Sequence, residues 1–160
     1  LLAALAAQIC ASPAADSGRP PAPDFELRDS RGRKRRLREF RGQVVLLQFW
    51  ATWCPICRRE ISLLEQLQSG RGPRGFVVIG VAMDQRGWAA VTPFLAQRRV
   101  GYLIVLGNPA VARRYSVSDL PRIVLIDRQG RIASSSNGMP DAAALLGEVD
   151  ALLAEPGGRH

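Results

Sequence analysis

Apolar and polar residues alternate in blocks along this chain, and the blocks predict an alternation of strands and helices. Almost wholly apolar runs are typical of strands that are covered on both faces of a sheet. Such runs occupy residues 44–50, 76–83, 102–106 and 122–127. After the last of them, turn-forming residues at 128–130 and a further segment at 131–135 predict a hairpin.

Between these strands, apolar residues recur at the spacing of one helix face. Ile61, Leu64 and Leu67 have this spacing, which predicts an amphipathic helix over 57–68 that ends before Gly70. The remaining helices are predicted at 88–99, where Pro93 marks a kink or a late start, at 109–115 behind a first-position proline, and at 142–154 behind the cap residue Asp141.

The start of the regular pattern predicts one more element, an N-terminal β-hairpin. Short segments at 25–27 and 33–37 flank the turn-forming residues 29–32. Together with the alternating strands and helices, this hairpin indicates an α/β sandwich with a mixed central sheet.

The first 22 residues differ in composition and predict a separate segment. LLAALAAQI is apolar but far shorter than the roughly 20 residues that span a bilayer. With the Ala- and Pro-rich stretch after it, the run suits the end of a signal peptide or anchor and a flexible linker. A disordered terminus is the alternative, and the residues before Cys10 do not fit the usual lipidation pattern. We assign 1–22 to this remnant and linker, and 23–160 to one folded domain.

The charge of the chain changes this picture little. The formal net charge is +8, and residues 28–41 contain eight basic residues against two acidic ones. A nucleic-acid site would need stacking aromatic residues or a known binding motif, and Phe40 is the only aromatic residue in the run. We therefore expect a solvated hairpin and no nucleic-acid partner. Attraction to anionic lipid or to an acidic protein is the functional alternative.

Two cysteines, Cys54 and Cys57, follow the first buried run with only Pro55 and Ile56 between them. Three explanations compete: a structural crosslink, half of a metal site, or a redox centre. A zinc site needs about four Cys or His ligands, and the other candidates, Cys10 and His160, lie at opposite ends of the chain. A crosslink between residues three apart closes a very small loop and therefore stabilises little.

The redox explanation accounts for where the pair lies. The strand at 44–50 ends just before Cys54, so this thiol falls in the first turn of the next helix. Free backbone amides and the helix dipole stabilise a thiolate there. We therefore predict Cys54 as the nucleophile that attacks a substrate disulfide, and Cys57, one helical turn later, as the thiol that resolves the mixed disulfide.

Several separated motifs resemble one family. APDFEL, LREFRGQVVLLQFWATWC, GFVVIGVAMD and YSVSDLPRIVLIDRQGRI occur in the order typical of exported thioredoxin-fold proteins of the TlpA, ResA and DsbE (CcmG) group. The resemblance covers nearly all of 22–155. It implies a thioredoxin-like three-layer sandwich with a mixed central sheet, an N-terminal β-hairpin and a central αβ insertion at 84–106.

The resemblance also implies roles for particular residues. Pro121 falls at the cis-proline of the fold, and the backbone of Leu120 would pair with a bound peptide; an ordinary trans proline is the alternative. Glu60 would accept a proton from Cys57, although a surface glutamate paired with a neighbouring arginine is also compatible with the sequence. The substrate-binding surface would further include Trp53, Pro55 and Ile56. Gln48 replaces the buried acid of thioredoxin itself.

The function implied is that of a thiol–disulfide oxidoreductase of the bacterial cell envelope. It would reduce disulfides in partner proteins, of the kind handled in cytochrome c maturation or copper-site assembly, and would be recharged by a membrane thiol donor. We expect a monomer in the periplasm or on the outer face of the inner membrane, tethered by its N-terminus. No cofactor beyond the Cys54–Cys57 disulfide and no metal are expected. A weakly redox-active binding or chaperone module and a peroxiredoxin-like peroxidase are the alternatives.

Overall fold

The computed structural model describes residues 18–157, and its strands form a single mixed sheet. Strands β3, β4 and β5 are parallel to one another, whereas the pairings of β1, β2, β6 and β7 are antiparallel. The order across the sheet is β2-β1-β5-β4-β3-β6-β7. The strands are β1 (Glu26–Asp29), β2 (Lys34–Arg36), β3 (Val44–Trp50), β4 (Phe76–Ala82), β5 (Leu103–Leu106), β6 (Arg122–Ile126) and β7 (Ile132–Asn137).

Helices cover both faces of this sheet, which confirms the predicted three-layer thioredoxin-like sandwich. The helices are α1 (Pro55–Arg71), α2 (Trp88–Ala96), α3 (Pro109–Arg114) and α4 (Ala142–Ala154). Alternate side chains of β3 point to opposite faces, so Leu46 packs with α1, α2 and α4, whereas Leu47 packs with α3. Every residue of β3 is buried, as expected for a central strand with helices on both sides.

Most predicted elements are present, with differences at their ends. Helix α1 begins at Pro55, two residues before the predicted start, and continues through Gly70 to Arg71. A short 3-10 turn follows it, and Gly75, at a φ of 89°, then leads the chain into β4. Helix α2 ends at Ala96, and Pro93 lies inside it.

The folded part of the chain starts before residue 23. Pro21 pairs with Arg131 at the start of β7, and the Ala22 amide donates a hydrogen bond to the carbonyl of Gly130. Arg19 donates two hydrogen bonds of 2.8 Å to Glu155 and one of 3.2 Å to Asp127. The last residues of the expected linker therefore lie against the domain. The apolar run, Cys10 and His160 lie outside the described residues.

About half of the basic residues of the hairpin are paired with nearby carboxylates. Ion pairs join Arg33 to Asp29, Lys34 and Arg36 to Glu26, and Arg35 to Glu39. The hairpin was predicted to be solvated, and the paired side chains of Arg33 and Lys34 are exposed. Within residues 18–157, none of the helices is both long enough and apolar enough to cross a membrane.

Two glycines in different environments allow a matched prediction about packing. A Cβ at Gly80, in β4, would lie 2.6 Å from the Ile104 Cδ1 atom and 3.0 Å from Nε1 of Trp50. Gly80→Ala is therefore expected to lower the free energy of unfolding by about 1–3 kcal/mol through overpacking. For Gly147, inside α4, a Cβ would have no described atom within 4 Å apart from its chain neighbours and the backbone of its own helix.

Gly147→Ala is the control and should raise the free energy of unfolding by about 0.5–1 kcal/mol, because alanine favours the helix. Urea denaturation of both variants measures the two effects. Equal changes in the two variants would show that the Gly80 site has room to adjust.

Candidate active site

The cysteine pair lies at the start of α1, shortly after the end of β3. Cys54 is the N-cap residue of the helix, Pro55 occupies its first position, and the Cys57 amide donates a 3.2 Å hydrogen bond to Sγ of Cys54. The two cysteines form a disulfide with their Cα atoms 5.3 Å apart. Cys54 retains 4 % exposure and Cys57 none. Cys54 is thus the more accessible of the two cysteines, and the helix N-terminus stabilises negative charge on its sulfur.

The short segment before Cys54 is held by Asp84, a residue that was not predicted from the sequence to support the site. This buried carboxylate accepts hydrogen bonds from the Thr52 amide at 3.1 and 3.2 Å and from the Thr52 hydroxyl at 2.5 Å. Asp84 follows the end of β4, which is parallel to β3 and hydrogen-bonded to it. The sequence does contain one signal for this role. Asp84 is an isolated acidic residue directly after a buried apolar run, at the same carboxyl end of the parallel strands as the cysteines.

Loss of the Asp84 carboxylate should destabilise the protein measurably. Asp84→Ala leaves the Thr52 amide and hydroxyl without their acceptor, so we expect the free energy of unfolding to fall by about 1–3 kcal/mol. Asp119→Ala is the matched control, because Asp119 is exposed and, among residues 18–157, its side chain is bonded only to the neighbouring Ser118 hydroxyl. Urea denaturation compares the two variants. If both change stability equally, the Asp84 contacts contribute nothing specific.

A second element borders the cysteines. The Leu120–Pro121 peptide bond is cis, as the family resemblance implies. Arg122, the next residue, pairs with Phe49 near the carboxyl end of β3, so the cis bond lies at the same end of the sheet as the cysteines. The Arg122 guanidinium donates to Asn137 and Ser135 of β7, both at 3.0 Å.

Exposed apolar side chains surround the pair. Trp53 is 66 % exposed and Ile56 is 48 % exposed, and these are the large hydrophobic residues that the described part of the chain leaves in solvent. Pro55 is exposed beside them. The three residues predicted from the resemblance to bind substrate therefore form one apolar rim around Cys54, and an exposed apolar rim is typical of a protein-binding site.

Glu60 lies on the buried face of α1, one turn after Cys57. It is 6 % exposed, and among residues 18–157 it forms no ion pair with a neighbouring arginine. Burial raises the pKa of its carboxyl above the ordinary 4.5. The hydrogen bond from Gln48, the Met139 backbone amide and the Arg59 charge act in the opposite direction on this pKa. The environment is that of a buried acid.

Gln48 is the direct partner of this acid. Its Nε2 donates a 2.7 Å hydrogen bond to Oε2 of Glu60, from a fully buried position in the middle of β3. From the sequence, Gln48 was interpreted only as the replacement of an acid. An amide side chain can donate to a carboxylate, and after a flip it can accept from the protonated acid. Gln48 therefore suits a carboxyl group that changes its protonation state.

In the part of the chain that the structure describes, no group of three or more His, Cys, Asp or Glu side chains could hold a metal ion.

Comparison with known proteins agrees with this geometry. Residues 19–135 match the AhpC/TSA family. The chain belongs to this family. It is 30 % identical to the thiol-disulfide oxidoreductase ResA of Bacillus thuringiensis over 73 % of this chain and 68 % of that protein. Identity to the ResA of Geobacillus thermodenitrificans is 33 %, with 73 % and 67 % of the two chains covered.

A solved structure has the same fold. The protein from Chlorobium tepidum assigned as thiol:disulfide interchange protein DsbE superposes with a TM-score of 0.81 at 32 % identity, covering 85 % of this chain and 97 % of that one. The relatives and the Cys54–Cys57 disulfide agree on one class of activity. This member of the AhpC/TSA family is a thiol–disulfide oxidoreductase of thioredoxin-like fold.

Proposed function

We propose that this protein reduces disulfides in partner proteins of the bacterial cell envelope by dithiol exchange at Cys54 and Cys57. The observation that carries the proposal is the arrangement of the pair. Cys54 caps α1 inside an exposed apolar rim, and Cys57 is wholly buried behind it. An accessible sulfur at a helix N-terminus suits attack, and a shielded neighbour suits resolution.

The proposed reaction has two steps. The Cys54 thiolate attacks one sulfur of the partner disulfide, so a mixed disulfide forms and the other partner sulfur leaves as a thiolate. Cys57 then loses its proton and attacks the Cys54 sulfur, which releases the second partner thiolate and forms the Cys54–Cys57 disulfide. Two electrons pass to the partner, and an external dithiol must reduce the pair again. Glu60 is the proposed acceptor of the Cys57 proton.

Trp53, Pro55, Ile56 and the backbone of Leu120 beside cis-Pro121 are the proposed contacts for the partner peptide. The location and the wider pathway are part of the same proposal: the periplasm or outer face of the inner membrane, an N-terminal tether and a monomer. The proposed electron donor is a membrane thiol protein, and the proposed acceptors are disulfides such as those of cytochrome c or copper-site precursors. Relatives named ResA and DsbE support this proposal.

Insulin reduction tests the activity. The purified protein, supplied with dithiothreitol, should accelerate precipitation of insulin, and Cys54→Ser should abolish the acceleration. A pair that is never reduced and reoxidised would favour the binding-module alternative. Hydrogen peroxide replaces insulin in a parallel assay, and Cys54-dependent consumption of peroxide, without insulin reduction, would favour a peroxidase.

The reduction potential decides the direction of electron flow. For a reductant we expect a midpoint of about −270 mV or below, as in thioredoxin, whereas an oxidant such as DsbA lies near about −120 mV. Equilibration of the pair with glutathione or dithiothreitol buffers measures this value.

A further inference from the structure

Next to the redox pair lies a group of arginines that have no carboxylate partner. Arg58 and Arg59 follow Cys57 on α1, and Arg98 follows the end of α2. All three are exposed, and none forms an ion pair within residues 18–157. In the hairpin, by contrast, four of the seven arginines of residues 28–41 are paired with carboxylates. Three arginines without an ion pair among residues 18–157 therefore lie together beside the cysteines.

These arginines line one depression in the surface. It has a volume of about 420 Å³ and is lined by Pro55, Arg58, Arg59, Ser62 and Arg98, with no acidic residue among them. Arg98 lies over the ring of Phe94, 5.1 Å from its centroid, which directs this guanidinium along the surface of α2. Pro55 belongs both to the depression and to the Cys54–Cys57 segment, so a chain bound at Cys54 can extend directly into it.

We propose that this depression, here called the arginine groove, binds acidic residues that flank the cysteine of the partner protein. The inference rests on the proposed function, because the groove acts on the same disulfide exchange. The exposed Trp53 and Ile56 supply apolar contact around the sulfur, and the groove supplies charge complementarity on one side of it. Partners with acidic residues beside their cysteine would therefore be reduced faster than neutral or basic ones.

A protein segment is a better occupant than a lipid surface on two grounds. The groove adjoins the sulfur that reacts with proteins, and the apolar residues beside it surround that sulfur rather than forming a separate membrane-facing patch. The folded domain also first contacts the N-terminal segment at Arg131 and Glu155. Arg131 directly precedes β7, whose first residue, Ile132, pairs with Ile126 at the end of β6 that is remote from the cysteines. A tether leaving from there would hold the groove away from a membrane.

Three peptides test the inference. Each carries a single cysteine, capped as a mixed disulfide with 2-thiopyridine, and flanking residues that are all Glu, all Gln or all Lys. The protein is first reduced with dithiothreitol and desalted. Attack by Cys54 on the peptide sulfur releases pyridine-2-thione, whose absorbance gives the rate, and Cys57 then releases the peptide thiol. Each rate is divided by that of 2-mercaptoethanol with the same peptide, which removes intrinsic differences in reactivity.

We expect the Glu peptide to react roughly five- to tenfold faster than the Gln peptide at low salt, and the Lys peptide to react more slowly than either. The preference should nearly vanish at about 0.5 M salt, because exposed charges are then screened. Arg58→Glu combined with Arg98→Glu should remove or invert the preference. Arg59 is left in place because its charge also lowers the pKa of Glu60.

The control is the double variant Arg31→Glu with Arg113→Glu, which changes the net charge equally. Arg31 lies in the hairpin turn, and Arg113 lies on α3 across the sheet from α1. This control should keep the preference for the Glu peptide. If it loses the preference as well, the effect belongs to net charge and the groove assignment is wrong.

The remaining outcomes separate the two proposals. Equal rates for all three peptides, with thione release that depends on Cys54, overturn the arginine groove and leave the proposed function standing. Absence of any Cys54-dependent release overturns the proposed function itself. Binding of the protein to phosphatidylglycerol vesicles but not to phosphatidylcholine vesicles, lost in the Arg58/Arg98 variant and without a peptide preference, would assign the groove to a lipid surface instead.

Discussion

A Cys57→Ser variant is expected to accumulate a mixed disulfide with insulin chains through Cys54. Removal of Cys57 leaves the first attack intact, because Cys54 keeps its position at the N-terminus of α1. The second attack then depends on an external thiol rather than on a sulfur held one helical turn away. Turnover should fall on the order of a hundredfold or more, because the intramolecular step is lost. Mass spectrometry of the non-reduced protein detects the adduct and locates it.

Cys54→Ser is the matched control and should form no adduct at comparable rate, because Cys57 is wholly buried. Circular dichroism of both variants establishes that they are folded. A folded Cys57→Ser protein without an adduct would contradict the assignment of Cys54 as the nucleophile. An adduct on Cys57 in the Cys54→Ser variant, formed as fast, would show that the roles of the two thiols are reversed.

The sequence was sufficient for the parts of the fold that local patterns control. Strand β3 was predicted at 44–50 and is observed as Val44–Trp50, because a wholly apolar run of this length between polar segments has few other stable arrangements. The last helix begins where Asp141 was expected to cap it, and the Asp141 side chain does accept hydrogen bonds from the amides of Ala143 and Ala144. Such signals act over a few residues and are therefore visible in the sequence.

The end of α1 was not predictable in this way. Gly70 was expected to stop the helix, yet the helix continues to Arg71. Arg71 bonds to Asp150 of α4 at 2.7 and 3.1 Å, and the Gln68 side chain accepts from the Val78 amide of β4 at 2.8 Å. These tertiary contacts fix the last turn and outweigh the low helix propensity of glycine.

The candidate site likewise contains residues that local sequence patterns predicted and residues whose roles depend on tertiary contacts. The cysteines were identified from their spacing and their position after a buried strand, and the cis bond at Pro121 from the family resemblance. The support from Asp84 and Gln48 was not foreseen, because each acts on a residue far away in sequence. Which polar side chains meet across a sheet and a helix depends on the register of the strands, and that register is known only once the fold is known.

Replacement of Glu60 by glutamine should slow the resolving step on the order of a hundredfold, with little effect on the first attack. The variant retains the shape of the side chain and the pairing with Gln48 but cannot accept a proton. In the assay with the neutral Gln-flanked peptide, thione release reports the first step, and the appearance of peptide thiol reports the second. Glu65→Gln is the matched control on the same helix, because an amide oxygen can still accept from the Gly101 amide.

The pH dependence gives this prediction a second readout, in the stability of the protein. Because burial raises the pKa of Glu60 above 4.5, the folded state binds its proton more tightly than the unfolded state does. The free energy of unfolding therefore falls as pH rises from about the ordinary pKa of glutamate through the raised pKa of folded Glu60. Above that range the ionised, buried carboxylate still destabilises the folded state. Glu60→Gln lacks this dependence and should gain stability relative to the wild type over the same interval.

The resolving rate of the wild type should rise with pH through the same raised pKa of Glu60, whereas the rate of the variant should show no such inflection. If the variant matches the wild type in both profiles, Glu60 is a buried structural residue, and Cys57 must pass its proton directly to solvent.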